Sequence, residues 1–465
     1  MKNCARHLFV YLCLAPVSVY AGDGVEFYRD VMPLVADNCI TCHSEAGVSF
    51  SFENPEETYN LRMAIASAVA DERMPPWLAE SGHQAYVGDY SLTAEEKQLV
   101  AEWAGAGFPK GEPTASRFAS PDVMEFDADL TVSVIPDGSY LPNQERKDDY
   151  RCFVFDWPYE EDMYVTGFMA TPGNQRVSHH LVNFVVGPEA APILKTLSEE
   201  EPGQGHQCFG GALPDSIGSK EVQARLEERF PGGLETLYKN NFWLSHWAPG
   251  MYGEEFPADT GILVRPGSVI VVQMHYYSAF APGEPDVGTE MHFKLAKQVD
   301  KPSVNLPLTN NRWLYGARNQ TMTIPPGESA SYEVSETFEQ VAGFASHALR
   351  IPPEEIGALE LRSANIHMHS FGASGEASLL HASGQKETLL SIPRWDLDWQ
   401  RDFLFEDSKI IPKEEFGRAR LIVECTFENY TEEVVYGGYG SDDEMCFNFS
   451  YVSVIRQEES VASTE

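Results

Sequence analysis

Five consecutive residues near the amino terminus have the types and spacing that attach a heme. The segment Cys39-Ile40-Thr41-Cys42-His43 is a C-x-x-C-H motif. The two thiols can add to the heme vinyl groups and form thioethers, and the adjacent imidazole can then ligate the iron. A redox or zinc C-x-x-C is the alternative, but zinc needs a second ligand pair nearby and the sequence has none. The motif therefore predicts one covalent heme c, held by Cys39, Cys42 and His43.

A sulfur ligand for the other face of the iron follows further along the chain. Met74 lies in Arg73-Met74-Pro75-Pro76-Trp77, a loop stiffened by two prolines. A thioether ligand raises the reduction potential and suits electron transfer. Met63, expected to be core packing in a helix, and His83 are the alternatives. The loop and the helix that begins at Thr93 resemble the methionine loop and last helix of class I cytochromes c, so Met74 is predicted as the second axial ligand.

Histidines form a second candidate centre later in the chain. His179 and His180 are adjacent, and His275 follows much later. His367 and His369 are separated by one residue, so on a strand they share a face and can bind one ion together. Adjacent histidines reach one ion only where the chain bends, which the start of a strand at His180 would allow. Imidazole and thioether ligands favour copper, and zinc is the competing metal for three histidines.

The motifs around these histidines resemble those of a known family. Residues of about 150–455 are similar to the copper type II, ascorbate-dependent monooxygenases, the family of dopamine β-monooxygenase and peptidylglycine α-hydroxylating monooxygenase. The order and rough spacing of five motifs agree with the family. They are Ser178-His179-His180, Trp247-Ala248-Pro249-Gly250, Gln273-Met274-His275-Tyr276, His367-Met368-His369 and Asp443-Glu444-Met445-Cys446.

The resemblance implies two copper ions with different tasks. An electron-transfer copper would be held in the first sandwich by His179, His180 and His275. An oxygen-activating copper would be held in the second by His367, His369 and Met445. The family binds O2 at the methionine-containing copper and inserts one oxygen atom into a C–H bond of its substrate, with two electrons used per turnover. A soft thioether favours Cu(I), the form that must meet O2.

Three positions depart from the peptide-hydroxylating branch of the family. There an Arg, an Asn and a Tyr grip the substrate carboxylate, whereas this chain has Asn365, Phe447 and Phe449. A glycine-extended peptide is therefore a poor candidate, and a small organic substrate is predicted instead. Phe447 and Phe449 either line an apolar pocket or are core residues of a strand. Gln273 does match that branch.

The cysteines outside the heme motif fall into two pairs. Three pairings of Cys152, Cys208, Cys425 and Cys446 are formally open, and free buried thiols are the alternative. Because two cysteines lie in each predicted half, the bridges Cys152–Cys208 and Cys425–Cys446 are expected in an oxidising compartment. The resemblance supports the second bridge, which adjoins the proposed ligand Met445.

Elements that position these residues change type along the chain. Helices are predicted at 25–36 and 56–69 and from Thr93, where Glu96 completes a capping box. Beyond about 123, short β-branched and aromatic runs alternate with turns, as in antiparallel sandwiches. Such runs are 151–157, 164–170, 180–186, 269–277, 359–369, 419–428 and 447–455. A stretch without periodicity at 296–311 suggests a break between two sandwiches.

The fold class is therefore multidomain, a small all-α cytochrome c domain followed by two all-β, jelly-roll-like antiparallel sandwiches. The predicted bounds are 1–21 for a signal peptide, 22–112 for the cytochrome c domain and 113–122 for a linker. The sandwiches would occupy 123–300 and 301–456, and 457–465 would be a disordered tail. The signal assignment rests on Lys2 and Arg6, the apolar stretch Leu8–Val19 and a small residue at Ala21. Cleavage would remove Cys4 and Cys13 and place the mature chain in the periplasm or outside the cell.

The net charge of the chain limits the classes of partner that it can bind. The 465 residues contain 70 acidic and 33 basic side chains, a formal charge of -37. A nucleic-acid partner is excluded by this sign, and an anionic membrane surface is disfavoured. After cleavage no membrane span is expected, because no later apolar stretch is long enough. The acidic excess suits a basic electron-donor protein.

These observations predict an exported copper monooxygenase that hydroxylates a C–H bond of a small organic substrate with O2. The fused heme would receive electrons from a periplasmic donor, with ascorbate as the other candidate reductant, and would relay them to the copper of His179, His180 and His275. Alternatives are a copper-binding or copper/heme electron-transfer protein without hydroxylation, and O2 or peroxide reduction on the same scaffold. The histidines outside the motifs are read as structural: His206, His246, His292, His347 and His381.

Overall fold

The computed structural model describes residues 24–40, 42–44, 50–114, 126–208, 211–247, 251, 253–314, 321–438 and 442–457. The predicted signal peptide, most of the predicted linker and nearly all of the predicted tail lie outside these residues. Two compact units are present, and each is described separately below. The first combines residues 1–75 and 91–120, and the second combines residues 76–90 and 121–465.

The first unit is built from helices in its described part. A π-helical turn at Phe27–Val31 leads into α1, and three more helices follow. Their bounds are α1 Met32–Asn38, α2 Pro55–Asn60, α3 Arg62–Ala70 and α4 Ala94–Gly105. The expected capping box is present at α4, where the Glu96 backbone N–H donates to the Thr93 hydroxyl and the Glu96 carboxylate accepts from the Thr93 backbone.

Two helix predictions need correction. The single helix expected at 56–69 is broken at Leu61, which closes a tight turn on the Thr58 carbonyl and separates α2 from α3. Met63, expected to be core packing, lies in α3 but its side chain is 69% exposed. The face of α3 that is buried carries Ile65 and Val69 instead.

Aromatic packing holds the first unit together. Phe27 stacks on Trp103 of α4 with ring centroids 5.6 Å apart, and both side chains are fully buried. The Trp103 indole N–H donates to the Pro109 carbonyl at 3.0 Å. These contacts join the first turn to the last helix, and burial of large aromatic side chains supplies most of such a small core.

The second unit consists mainly of antiparallel strands. The strands of its first part are β1 Leu130–Ser133, β2 Ser139–Tyr140, β3 Asp148–Asp156, β4 Met163–Thr171, β5 Ser178–Val186, β6 His206–Gln207, β7 Asn241–Trp247, β8 Glu254–Glu255, β9 Thr260–Val264, β10 Val269–Tyr277, β11 Asp286–Val287 and β12 Glu290–Ala296. Those that follow are β13 Lys301–Leu308, β14 Thr323–Ile324, β15 Ser329–Thr337, β16 Ile356–Ala364, β17 Gly372–Leu380, β18 Lys386–Ile392, β19 Phe403–Pro412, β20 Arg420–Glu428, β21 Val435–Tyr436 and β22 Asn448–Arg456. Helices of this unit are α5 Ala191–Glu199, α6 Lys220–Arg229, α7 Gly233–Lys239, α8 Asn311–Leu314 and α9 Phe338–Leu349.

Three larger sheets form the layers. The largest has the order β1-β12-β4-β9-β13-β22-β16-β19, with β8 paired to β4. A five-stranded sheet, β6-β3-β10-β5-β7, shares a buried core with its first part, and a four-stranded sheet, β15-β20-β17-β18, shares one with its second part. Each half of the unit is thus a two-layer β arrangement, as expected for sandwiches.

The segment expected to separate the two halves is instead a strand that joins them. Strand β13 pairs in parallel with β9, Lys301 opposite Thr260, and antiparallel with β22. Its inward residues Val304, Leu306 and Leu308 are buried. Two prolines within the strand hide the β pattern in the sequence, because proline is usually depleted in central strands.

Residues 76–90 were predicted to belong to the cytochrome c domain, but they belong to the second unit. The Glu80 backbone N–H donates to the Ser391 carbonyl and the Val87 N–H donates to the Leu404 carbonyl, each at 2.8 Å. The buried Tyr86 hydroxyl donates to the Leu389 carbonyl, also at 2.8 Å. The segment thus packs along β18 and β19. No helix among the described residues is both long and apolar enough to cross a membrane.

Candidate metal centres

A β-bulge brings the first three histidines together. On β10 and β5, His275 lies opposite His180, but Tyr276 lies opposite Ser178, so His179 is the extra residue. A bulge re-aims side chains that would otherwise point to opposite faces. The bend that adjacent histidines need for a shared ion is therefore present, and it lies at the start of the strand.

The three imidazoles converge on one point. Nδ1 of His180 lies 3.1 Å from Nδ1 of His179 and 3.3 Å from Nδ1 of His275. One ligand atom from each histidine lies within 4.8 Å of the other two. Ring nitrogens that face one another repel through their lone pairs unless a proton or a metal ion lies between them. The donor set therefore suits a metal ion.

Neighbouring side chains orient His275. Its Nε2–H donates to Asp148 Oδ1 at 2.9 Å, which leaves the Nδ1 lone pair directed at the other two histidines. The imidazole also stacks on Tyr150 at 4.1 Å with nearly parallel rings. The hydrogen bond from His275 is the main cause that lowers the pKa of Asp148. A carboxylate behind the imidazole in this way fixes the tautomer of a metal-ligating histidine.

The second pair of histidines lies just beyond the end of β16. His367 forms an isolated antiparallel bridge with Phe447, through backbone hydrogen bonds of 2.9 and 3.1 Å. The rings of His367 and His369 are 5.4 Å apart and nearly perpendicular. Burial is the main reason that the pKa of His367 falls to about 3, so the imidazole is neutral, as a metal ligand must be.

In this pair both Nδ1 atoms are held by hydrogen bonds. Nδ1–H of His367 donates to the side-chain oxygen of Gln400. Nδ1–H of His369 donates to the Asp443 carbonyl at 2.9 Å. Both acceptors fix the tautomer with Nε2 unprotonated. The first cluster presents Nδ1 and the second pair presents Nε2.

Met445 directly follows Glu444, whose carboxylate accepts hydrogen bonds from the backbone around His369. Met445 is 5% exposed. Glu444 accepts backbone N–H groups of His369 at 2.8 Å and Phe371 at 2.6 Å, and burial raises its pKa to about 7. The Cys425–Cys446 disulfide anchors the other side of Met445, and Cys152–Cys208 forms in the first half. Both are the bridges expected from the sequence.

Aromatic side chains occupy two of the positions where the related branch has a substrate clamp. Phe447 and Phe449 stack at 5.4 Å, and Trp243 lies 4.2 Å from Phe449. The His367 ring is 6.3 Å from Phe447 and 6.4 Å from Phe449. Phe447 is 9% exposed. These residues are therefore partly core and partly the apolar side of the second pair.

Several residues that support or connect the clusters were not predicted from the sequence. Asp148, Gln400 and Glu444 hold ligand candidates, although only Glu444 stood inside a recognised motif. His246, read as structural, lies 3.8 Å from Asp402 and, with His367, is among the charges that lower the pKa of His180 after burial. The two clusters are thus electrostatic neighbours. The signal in the sequence for His246 was its position directly before Trp247, the first residue of a recognised motif.

The remaining histidines fit ordinary structural roles. His206 lies beside Cys152 and Cys208, but these sulfurs are bonded to each other and cannot ligate a metal as thiolates. Its ring contacts the Ser198 hydroxyl and the Ala212 carbonyl. His292 contacts two threonine hydroxyls, His347 a backbone carbonyl and His381 the Glu387 carboxylate.

The predicted heme residues have a suitable local arrangement. Cys39 and Cys42 are half-buried and form no disulfide, and the His43 backbone N–H donates to the Cys39 carbonyl at 2.9 Å. His43 stacks on Phe52 at 4.4 Å, and its Nδ1 donates to the Phe50 carbonyl at 3.0 Å, which leaves Nε2 for a metal. Met74 follows α3, with its backbone N–H on the Ala68 carbonyl. His83, the alternative ligand, is exposed and pairs with Glu80.

Comparison with known families identifies the class of enzyme. Residues 315–460 match the family model of the copper type II ascorbate-dependent monooxygenase, C-terminal domain. The matched region contains His367, His369 and Met445. The enzyme is therefore a copper-dependent monooxygenase, an oxidoreductase. No curated protein matches the chain.

Three of the solved structures that match this chain are only distantly similar to it. PNGF-II is 11% identical, with a TM-score of 0.23, over 71% of this chain and 64% of that chain. PNGase F, a glycosylasparaginase from Flavobacterium meningosepticum, is 8% identical over 70% of this chain and 96% of that chain, with a TM-score of 0.29. The major capsid protein P2 of bacteriophage PM2 is 9% identical over 71% and 98%, with a TM-score of 0.23. This chain spans less than two thirds of PNGF-II.

Proposed function

We propose that the protein uses two copper ions to hydroxylate a C–H bond of a small organic substrate with O2. The observation that carries this proposal is the convergence of Nδ1 atoms from His179, His180 and His275, in a chain whose C-terminal region is a copper monooxygenase domain. These histidines would hold the electron-transfer copper. His367, His369 and Met445 would hold the oxygen-activating copper.

The protein's own residues prepare both sites for metal. Asp148 keeps His275 in the tautomer that presents Nδ1, and Gln400 and Asp443 keep His367 and His369 in the tautomer that presents Nε2. Neutral imidazoles accept both Cu(I) and Cu(II), and the thioether of Met445 favours Cu(I). When bound, the coppers would supply the activation of O2 and the storage of electrons.

The substrate proposal follows from the aromatic side of the second pair. A carboxylate-bearing peptide needs a cationic or hydrogen-bonding clamp, but Phe447 and Phe449 present rings and Asn365 is used elsewhere. The Asn365 amide donates to the Arg401 carbonyl and to Asp402, each at 2.9 Å. We therefore expect an apolar or aromatic substrate without a carboxylate.

Electron supply is proposed to come through a heme c on the first unit. Cys39 and Cys42 would form the thioethers, with His43 and Met74 as axial ligands in a small all-α cytochrome c domain. The chain would be exported by its signal sequence to the periplasm, where a donor protein or ascorbate reduces the heme. The heme would then pass electrons singly to the copper of the three-histidine cluster.

Metal and heme analysis followed by isotope labelling tests the proposal. Purified protein should contain one heme and two coppers per chain, and labelled oxygen from O2 should appear in an organic product from a panel of apolar substrates. Zinc in the histidine sites without copper uptake would refute it. A Cys39→Ala/Cys42→Ala variant tests the heme separately, because normal hydroxylation by that variant with a donor protein would exclude the relay.

A further inference from the structure

A three-residue loop contacts the proposed copper ligand His367 on the side of the ring away from the metal position. Gln400, Arg401 and Asp402 lead into β19. Gln400 accepts the Nδ1–H of His367 and donates its own amide to the Leu397 carbonyl at 3.0 Å, which fixes the amide oxygen toward the histidine. The loop therefore determines which nitrogen of His367 is left for copper.

Arg401 ties this loop to residues from a distant part of the chain. Its guanidinium donates to the Tyr90 hydroxyl at 2.6 Å and lies 4.9 Å from the centre of the Trp77 ring. It also lies 5.0 Å from the Tyr90 ring and 5.8 Å from the Phe403 ring. Trp77 packs edge-on against both Tyr90 and Phe403 at 5.1 Å. A cation held among three aromatic rings is strongly restrained.

The two aromatic residues are themselves fixed in place. They lie near the two ends of the segment 76–90. The backbone of this segment is hydrogen-bonded to Ser391 and Leu404, and its buried Tyr86 packs against Phe403 and Phe405. Glu80 also accepts from the Ser391 hydroxyl at 2.7 Å. The segment is thus a built part of this half of the unit rather than a loose connection.

We propose that Trp77, Tyr90 and Arg401 are positioning residues for the oxygen-activating copper, acting through Gln400 on His367. They hold the loop so that Gln400 keeps His367 in the Nε2-presenting tautomer. This inference rests on the proposed function and deepens it. Trp77 follows Met74 by three residues, so one stretch of chain carries the proposed heme ligand and the support of His367.

Copper titration of the full-length heme protein tests the inference. Gln400→Leu removes the acceptor for His367 and should weaken copper at the second site about 10–100-fold, the usual cost of losing an outer partner of a metal ligand. Trp77→Leu should weaken it about 10-fold, and Tyr90→Phe should weaken it by a smaller factor. Copper at the three-histidine cluster should keep its affinity and its electron paramagnetic resonance spectrum in all three variants.

Conservative and control variants separate positioning from general damage. Gln400→Glu keeps an acceptor and Trp77→Phe keeps a ring, so both should restore second-site copper. Trp157→Leu removes a buried indole from the first half and should leave the second site unchanged. Unchanged second-site affinity in both Gln400→Leu and Trp77→Leu would overturn the inference.

A measurement without copper keeps the inference distinct from the proposed function. In metal-free protein, nitrogen-15 resonances of labelled histidine should show His367 protonated at Nδ1 in wild type and a tautomer mixture in Gln400→Leu and Trp77→Leu. If wild type bound no copper and the two variants still showed the tautomer mixture, the proposed function would fail and the positioning role would stand. An unchanged tautomer in both variants would overturn the positioning role whatever the metal content.

Discussion

The two histidine clusters reach a similar donor chemistry by opposite means. The cluster of His179, His180 and His275 stands on two paired strands, depends on a bulge and presents Nδ1. The pair His367 and His369 stands after a strand end, depends on loops and presents Nε2. His179 is exposed whereas Met445 is buried.

This difference fits the proposed division of labour between an electron-transfer copper and an oxygen-activating copper. A site on a sheet, with one of its three imidazoles exposed, could accept electrons with little rearrangement. A site held by loops gains its ligands from separate segments, so outside contacts such as Gln400 and the Cys425–Cys446 disulfide control its geometry. Strand register therefore defines the first cluster, and loop anchoring defines the second pair.

Ligand removal gives the largest expected effect. His275→Ala should lose only the copper of the first cluster, and His369→Ala only that of the second pair, because the clusters share no ligand. Product formation should fall in both by more than the roughly 10–100-fold cost of losing an outer partner. Metal analysis and product assay check this, with His347→Ala as a control. Loss of both coppers from either variant would show that the sites are not independent.

Removal of each disulfide should lower the free energy of unfolding by a different amount in the two halves. The bridges close loops with sequence separations of 56 and 21 residues. Chain-entropy arithmetic then gives about 4.2 kcal/mol for Cys152–Cys208 and about 3.3 kcal/mol for Cys425–Cys446. Paired Cys→Ser variants in urea unfolding check the order. The Cys425→Ser/Cys446→Ser protein alone should also lose second-site copper, and an equal loss in the other variant would contradict the comparison.

Acid should weaken the first half through His206. Burial lowers the pKa of His206 from 6.5 to about 4, so the folded histidine stays neutral where the unfolded one takes a proton. Stability is complete above pH 6.5 and falls, by roughly 3 kcal/mol, as the pH drops to about 4. Urea unfolding across this range should show the fall in wild type and a smaller one in His206→Asn. Parallel curves for the two proteins would refute this origin.

The smallest effect in this series is the loss of copper affinity expected when Asp148, the hydrogen-bond partner of His275, is changed. Asp148→Asn keeps the size of the side chain but removes the carboxylate, so copper at the first cluster should weaken about 10–100-fold, or roughly 1.4–2.7 kcal/mol. Second-site copper should not change. Asp156→Asn on the same strand removes an exposed carboxylate and serves as control. Equal affinity in the two variants would mean that Asp148 does not orient His275.

Much of the fold was predictable where local patterns are strong. The capping box at Thr93 and the strands at 148–156, 163–171 and 269–277 appear close to where the sequence placed them. Strand β13 was missed because prolines and polar residues interrupt its pattern. The place of segment 76–90 was missed because its hydrogen bonds are made to residues about three hundred positions away, which no local signal reports.

Which side chains can do chemistry here follows from the amino-acid sequence alone. The C-x-x-C-H motif, the paired histidines and the cysteine pairs are local facts of residue type and spacing. Tertiary structure alone decided how those side chains are aimed, through the bulge at His179, the carboxylate of Asp148 and the amide of Gln400. The physical reason is that tautomer, burial and orientation depend on contacts between residues far apart in the chain, and only the fold creates those contacts.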